Sequence, residues 1–365
     1  MKLAIIGLSN SGKTTVFNAL TGQNIETTIY ATITGEPHFG VVKVPDERVK
    51  KLAEIYNPKK VTYATVEYID YIGLTKGDMA QNGKVFDLIK DVDAIVHVVR
   101  AFENDSVTHP LNNIDPLRDI EAVELEFIFG DLEFIEKRLA RMEEGAKRGK
   151  KPNEIERKLM IKCKKALEAE TPLRNIEFDE EEQKLMRPLQ FISTKPEIIV
   201  LNVGETDLAS EKARDLLSRT EEFLKTKGLS KTTRSVSLCG KIEMEIAQLS
   251  ADEAGAFLDD LGIEEPALNK LIRESYELLG LISFLTAGED EVRAWTIKKG
   301  TAAQQAAGKI HSDIERGFIR AELVSYDDFV ADGGMSGARD KGHLRLEGKT
   351  YEVKDGDIIN FRFNV

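Results

Sequence analysis

The stretch that decides the fold is residues 1–20, MKLAIIGLSNSGKTTVFNAL. An apolar run, Leu3–Ile6, gives way to Gly7-Leu8-Ser9-Asn10-Ser11-Gly12-Lys13-Thr14, and a helical pattern follows from Thr14 to Leu20. A glycine, four residues and then Gly-Lys-Thr, set between a strand and a helix, is the spacing of a phosphate loop. Glycines let backbone N–H groups turn toward an anion without Cβ clashes, and the helix start adds the positive end of its dipole. Lys13 is placed to reach the β- and γ-phosphates of a nucleoside triphosphate, and the Thr14 hydroxyl to ligate Mg²⁺. Asn10, Ser11, Gly12 and Thr15 complete the expected cradle.

Further along the chain, short apolar runs at Val66–Ile69, Ala94–Val99, Ile198–Leu201 and Ser235–Leu238 are separated by helical stretches. Strands joined through helices pair in parallel, so a doubly wound α/β sheet is expected. The gap between Val99 and Ile198 reads as an insertion. Within it Leu125, Ile128, Leu132, Ile135, Leu139 and Met142 recur at alternating steps of three and four, the seam of a coiled coil. The turn GAKRGKKPN follows, with Pro152 at a helix start, and a second helix from about Glu154 to Glu168 completes an antiparallel hairpin. From Leu281 onward, short β-type runs broken by glycine-containing turns indicate a small mixed β domain. The expected domains are 1–120 with 196–280 for nucleotide, 121–195 for the helical hairpin, and 281–365 for the β domain.

The 365 residues are 41% hydrophobic and 31% charged, with no apolar run near the length that spans a bilayer. No membrane partner and no targeting segment are expected. Cys163 and Cys239 stand far apart without metal-ligand spacing, which suggests a reducing compartment, the cytoplasm. A net charge of −12 argues against a uniformly cationic surface, and DNA is not an expected partner. Yet residues 136–165 hold 12 Lys/Arg against 5 Glu, leaving about −19 for the rest of the chain. A basic element on an acidic body can dock on a polyanion while the body is repelled.

A phosphate loop needs a carboxylate at a neighbouring strand end to organise the metal. Asp70 in Asp70-Tyr71-Ile72-Gly73 is that residue, and the Gly73 amide could sense the γ-phosphate. Thr32 is the expected closing metal ligand, with Thr34 as its competitor. Ras-type GTPases place a water-orienting Gln after this glycine, whereas this chain has Leu74, which cannot polarise water. Base choice falls to Asn202-Val203-Gly204-Glu205, where a guanine-specific chain has Asn-Lys-x-Asp, and to Cys239-Gly240-Lys241 on the far side of the base. Glu205 is one methylene longer than the aspartate that accepts guanine's N1 and N2 donors, and Val203 lacks the lysine stem that packs on the base. Guanine selectivity should fall.

This combination resembles the Obg-like ATPase family, known in bacteria as YchF, over nearly the whole chain. The likeness is densest in DAIVHVVRAFENDSVTHP, NVGETDL, KIEMEIAQL and the segments from TAGEDEVRAWTIKKGT to EVKDGDIINFRFNV. It implies hydrolysis of ATP in preference to GTP, a C-terminal β-grasp (TGS) domain, and association with ribosomes or ribosomal RNA. A family histidine implicated in hydrolysis falls on His109, beside Lys13 as the second catalytic candidate. Mg²⁺ is the expected cofactor and K⁺ a candidate second cation. The second switch, KGDMAQNGK, is shorter and poorer in glycine than the family's, and the base-side Ser-Ala-Lys is Cys-Gly-Lys. A GTPase on this scaffold and a nucleotide-gated binding module with negligible turnover are the rival readings.

Overall fold

The computed structural model describes residues 1–26, 37–71, 73–149, 153–208, 210–261 and 263–364. Thr32, Thr34 and Pro152 lie outside the described residues. The chain divides into two compact units, Met1–Val42 with Glu67–Leu271, and Lys43–Val66 with Ile272–Val365.

The first unit is built on β1 (Lys2–Ile6), β2 (His38–Lys43), β4 (Thr65–Asp70), β5 (Ala94–Ala101), β6 (Glu197–Val203) and β7 (Thr233–Leu238), in the order β2-β4-β1-β5-β6-β7. From β4 to β7 the strands are parallel. The register sets Ile5 beside both Asp70 and Val96, and Asn202 beside Leu238. The phosphate loop, Asp70 and the two base-side segments therefore leave the sheet at one carboxyl edge, where open α/β sheets bind ligands. Every residue of β6 is buried, which is why it reads as a continuous apolar run. Helix α1 (Lys13–Thr21) follows the phosphate loop, and α3 (Met79–Ile89) lies between β4 and β5. Phe86 and Phe127 meet edge-on at 5.8 Å in a core that includes Ile6, Leu8, Ile69 and Leu74.

The insertion is an antiparallel helical coiled coil. Helix α4 (Pro116–Lys147) starts with Pro at its first turn behind the Asp115 cap, and α5 (Glu154–Glu168) starts behind Asn153, where the sequence places it. Ile128 and Ile135 of α4 pack with Leu159, Met160, Cys163 and Leu167 of α5, and Lys164 bridges to Glu136 at 2.8 Å. Three charged residues of α4 are buried, against the pattern of a solvated face. Asp119 accepts from His109, Glu126 from Gly77 and Asn82, and Asp131 from the N–H groups of Ile192 and Ser193.

The second unit carries the β-grasp fold. Strands β8 (Leu281–Ala287), β9 (Glu291–Lys298), β10 (Phe318–Ser325), β11 (Arg345–Glu347) and β12 (Asp357–Phe363) order as β11-β10-β12-β8-β9. The hairpin β8/β9 is antiparallel, and β12 joins β8 in parallel. Helix Ala303–Ile310 lays Ala303, Ala306 and Ala307 against Phe284, Leu323 and Ile359. A three-residue strand, β3 (Lys60–Thr62), extends this sheet in parallel beside β9, and α2 (Glu47–Tyr56) belongs to the same unit.

Candidate functional site

Gly12 caps α1 at φ 90°, and no side chain caps that helix start, so its first-turn amides are left for an anion. A Cβ on Gly12 would lie 2.2 Å from the Asn202 amide nitrogen, so the position excludes any larger residue. Lys13 is buried and donates to the Leu8 carbonyl at 2.9 Å. Burial lowers its pKa to about 8, partly offset by Asp70. Asn10 sits at φ 62° and donates to the Thr108 carbonyl, which joins the phosphate loop to the segment carrying His109.

Thr14 donates to Asp70 Oδ2 at 2.8 Å, while Asp70 Oδ1 is buried with no partner among the described residues. Burial raises the Asp70 pKa, against the Thr14 hydrogen bond and the Lys13 charge. A hydroxyl beside a carboxylate with an unspent buried oxygen is the donor set of a hard divalent cation such as Mg²⁺. His38, which no sequence pattern singles out, stands 4.0 Å from the same carboxylate.

Gly73 lies against the phosphate loop. A Cβ there would fall 2.9 Å from Lys13 Nζ and 3.0 Å from the Ser9 backbone. Leu74 donates its N–H to the Gly7 carbonyl, and its side chain is fully buried.

On the base side, Asn202 is the joint. Its Nδ2 donates to the Ser11 carbonyl and its Oδ1 accepts the Gly240 N–H, both at 3.0 Å. A Cβ on Gly240 would meet Thr15 at 3.5 Å, so the two loops are in contact. The side chains of Val203 and Cys239 turn into a core with Ile242 and Ile246, leaving backbone at the site edge. Glu205 is paired with Lys241 at 2.6 Å, both about half exposed.

His109 is buried. Its Nδ1 accepts the Leu111 N–H at 3.1 Å, which leaves Nε2–H to donate to Asp119 at 2.9 Å. The segment 104–110 is tied down through Arg100. That guanidinium donates to the carbonyls of Phe102, Asn104 and Val107 and stacks on the Phe102 ring at 4.7 Å. His97 is a satisfied core residue, 3.0 Å from Glu197.

Comparison with known proteins bears on the whole chain. A family model described as a 50S ribosome-binding GTPase matches residues 2–128, and the YchF-GTPase C-terminal model, described as a protein of unknown function, matches 281–364. The Ribosome-binding ATPase YchF of Bacillus subtilis (strain 168) is 46% identical, over 99% of this chain and 98% of that protein. The Escherichia coli O157:H7 protein of the same name is 41% identical, over 100% and 99%. The solved structure of the Schizosaccharomyces pombe YchF GTPase has a TM-score of 0.81 and 29% identity, covering 99% of this chain and 97% of that one.

Proposed function

The chain belongs to the YchF family, and from that premise we propose that it binds and hydrolyses ATP and docks on ribosomes according to the nucleotide it holds. The observation that carries the choice of ATP is the base side of the site. Guanine offers two donors, which a free strand-end carboxylate accepts. Here Glu205 already holds the Lys241 ammonium, and Val203 lies in the core instead of against the base. The names of relatives divide between ATPase and GTPase, and these two positions favour the first.

Lys13 and the first-turn amides of α1 bind the β- and γ-phosphates, with Asn10, Ser11, Gly12 and Thr15 shaping the cradle. Thr14 and Asp70 would hold Mg²⁺, which supplies positive charge for the phosphate oxygens. Asn202, Glu205, Gly240 and Lys241, with the backbone alone of Val203 and Cys239, frame the base. His109 is the hydrolytic group that the family likeness implies. To act on water it exchanges Asp119 and the Leu111 amide for the substrate, and the Asn10–Thr108 hydrogen bond gives the phosphate loop a hold on that movement. K⁺ takes part as a second cation if replacing it by Na⁺ slows turnover.

Residues 1–120 and 196–280 do the nucleotide work on this reading. The hairpin 121–195 carries the ribosome contact, and 281–365 form the TGS module, into whose unit Lys43–Val66 also fold. Exposed Lys137, Arg141, Lys147, Arg148 and Lys158 give the hairpin its cationic face. The test is co-sedimentation with purified ribosomes in a non-hydrolysable ATP analogue and in ADP. Different bound fractions are expected in the two states. Equal fractions at every ribosome concentration would remove the switch and leave a constitutive binder.

A further inference from the structure

Hydrolysis at a phosphate loop needs a polar group to hold the attacking water, and the residue after Gly73 offers none. The leucine is not merely inert there; its side chain is part of the core around Ile6, Leu8 and Phe86. The segment that follows folds back toward Gly73. Asn82 accepts the Thr75 N–H at 3.0 Å and donates to the Thr75 carbonyl at 2.8 Å, closing a short loop. Glu126 of α4 accepts the Gly77 N–H and the other Asn82 N–H, at 2.7 and 2.8 Å. Asp78 caps α3 by accepting the Gln81 N–H. These bonds fix the first turn of α3 and bring the Gln81 carboxamide to Gly73, whose carbonyl accepts from Nε2 at 3.3 Å. Gly73 is the residue packed against Lys13 Nζ, the phosphate-binding cation.

We infer that Gln81 is a further catalytic residue, which orients the water that attacks the terminal phosphate. Its Nε2 is spent on the Gly73 carbonyl, and Oε1, with no hydrogen bond among the described residues, accepts from the water. A carboxamide does not titrate, so it stays an acceptor at every pH. The water oxygen forms the new P–O bond, and the bond to the bridging oxygen breaks with its electron pair left on ADP. The water proton ends on the released phosphate, so Gln81 positions and gains no proton. It does from the first turn of α3 what Leu74 cannot do from the position beside Gly73. It is seated there already, whereas His109 must leave two partners first.

The inference rests on the reading of the site as an ATPase, and the experiment separates the two. Single-turnover phosphate release from Mg-ATP and ATP affinity are measured for the full chain, for Gln81→Ala, and for Gln81→Met, which keeps the length and loses the acceptor. Both variants should hydrolyse about 10²-fold more slowly, the usual scale for one positioned polar group, with affinity within about twofold. A wild-type rate in either variant overturns the inference. So does a parallel fall of rate and affinity, which would make Gln81 a clamp on the loop. Wild-type protein no faster than Lys13→Ala marks failure of the ATPase reading itself, whatever the Gln81 variants do.

Discussion

At the scale of single residues, the chemistry of the site turns on groups whose burial conflicts with their charge. Lys13 is the clearest case, with its pKa brought down to about 8 by burial. Its folded-state value lies below the ordinary 10.5, so between those two values the unfolded chain binds more protons and the free protein gains stability as pH rises. On the role proposed for Lys13, triphosphate affinity runs the other way, because its ammonium is lost above pH 8. ATP should bind about tenfold more weakly at pH 9 than at pH 7, and titration at constant ionic strength reads this directly; a flat profile would mean that Lys13 stays charged. His109 carries a second residue-scale prediction. Its alanine variant should hydrolyse about 10²-fold more slowly and lose about 1–3 kcal/mol of stability, because Asp119 keeps Arg118 but loses the imidazole. Lost stability with an unchanged rate would assign His109 to the fold alone.

At the scale of elements, helix α4 is the piece whose role the sequence conceals. Leu125 and Met142, the ends of the heptad seam, lie outside the hairpin core, but its middle, Ile128, Leu132, Ile135 and Leu139, was legible because apolar spacing reports the face that packs. Asp119, Glu126 and Asp131 were not, since a charge on a helix reads as a solvated face until its partner is known. The partners are backbone amides and side chains from distant segments, and no local pattern encodes them. The same holds for β3, whose three residues pair with β9 more than 200 positions away, and for Gln81, whose partner is set by the fold of the loop between. The juxtaposition of residues 7–14 with Asp70 and Asn202 was readable because phosphate-loop chemistry asks for fixed types at fixed spacing. Asp131 gives this scale its test. Burial raises its pKa to about 6, and its carboxylate holds the chain where the hairpin returns to the sheet. Asp131→Ala should cost about 1–3 kcal/mol by leaving two buried amides unpaired, measured by denaturant unfolding. A loss within about 0.5 kcal/mol would place that joint elsewhere.

For the whole molecule, charge is unevenly divided along one chain. The cationic stretch 136–165, on a chain whose remainder carries about −19, is expected to meet ribosomal phosphate, so reversing Arg141, Arg148 and Lys158 to Glu should weaken ribosome binding and flatten its salt dependence, since fewer counterions are released. ATP turnover without ribosomes should stay unchanged, and undiminished binding would move the contact off the hairpin. Turnover of ATP at this site is read by phosphate release in parallel assays with ATP and GTP, in Mg²⁺ and K⁺ with ribosomes present. Wild-type protein should release phosphate from ATP at least about tenfold faster than from GTP, a difference of about 1.4 kcal/mol, and Lys13→Ala should abolish both. Equal or faster release from GTP would rule out ATP as the preferred substrate, and turnover that survives Lys13→Ala would place hydrolysis outside this loop.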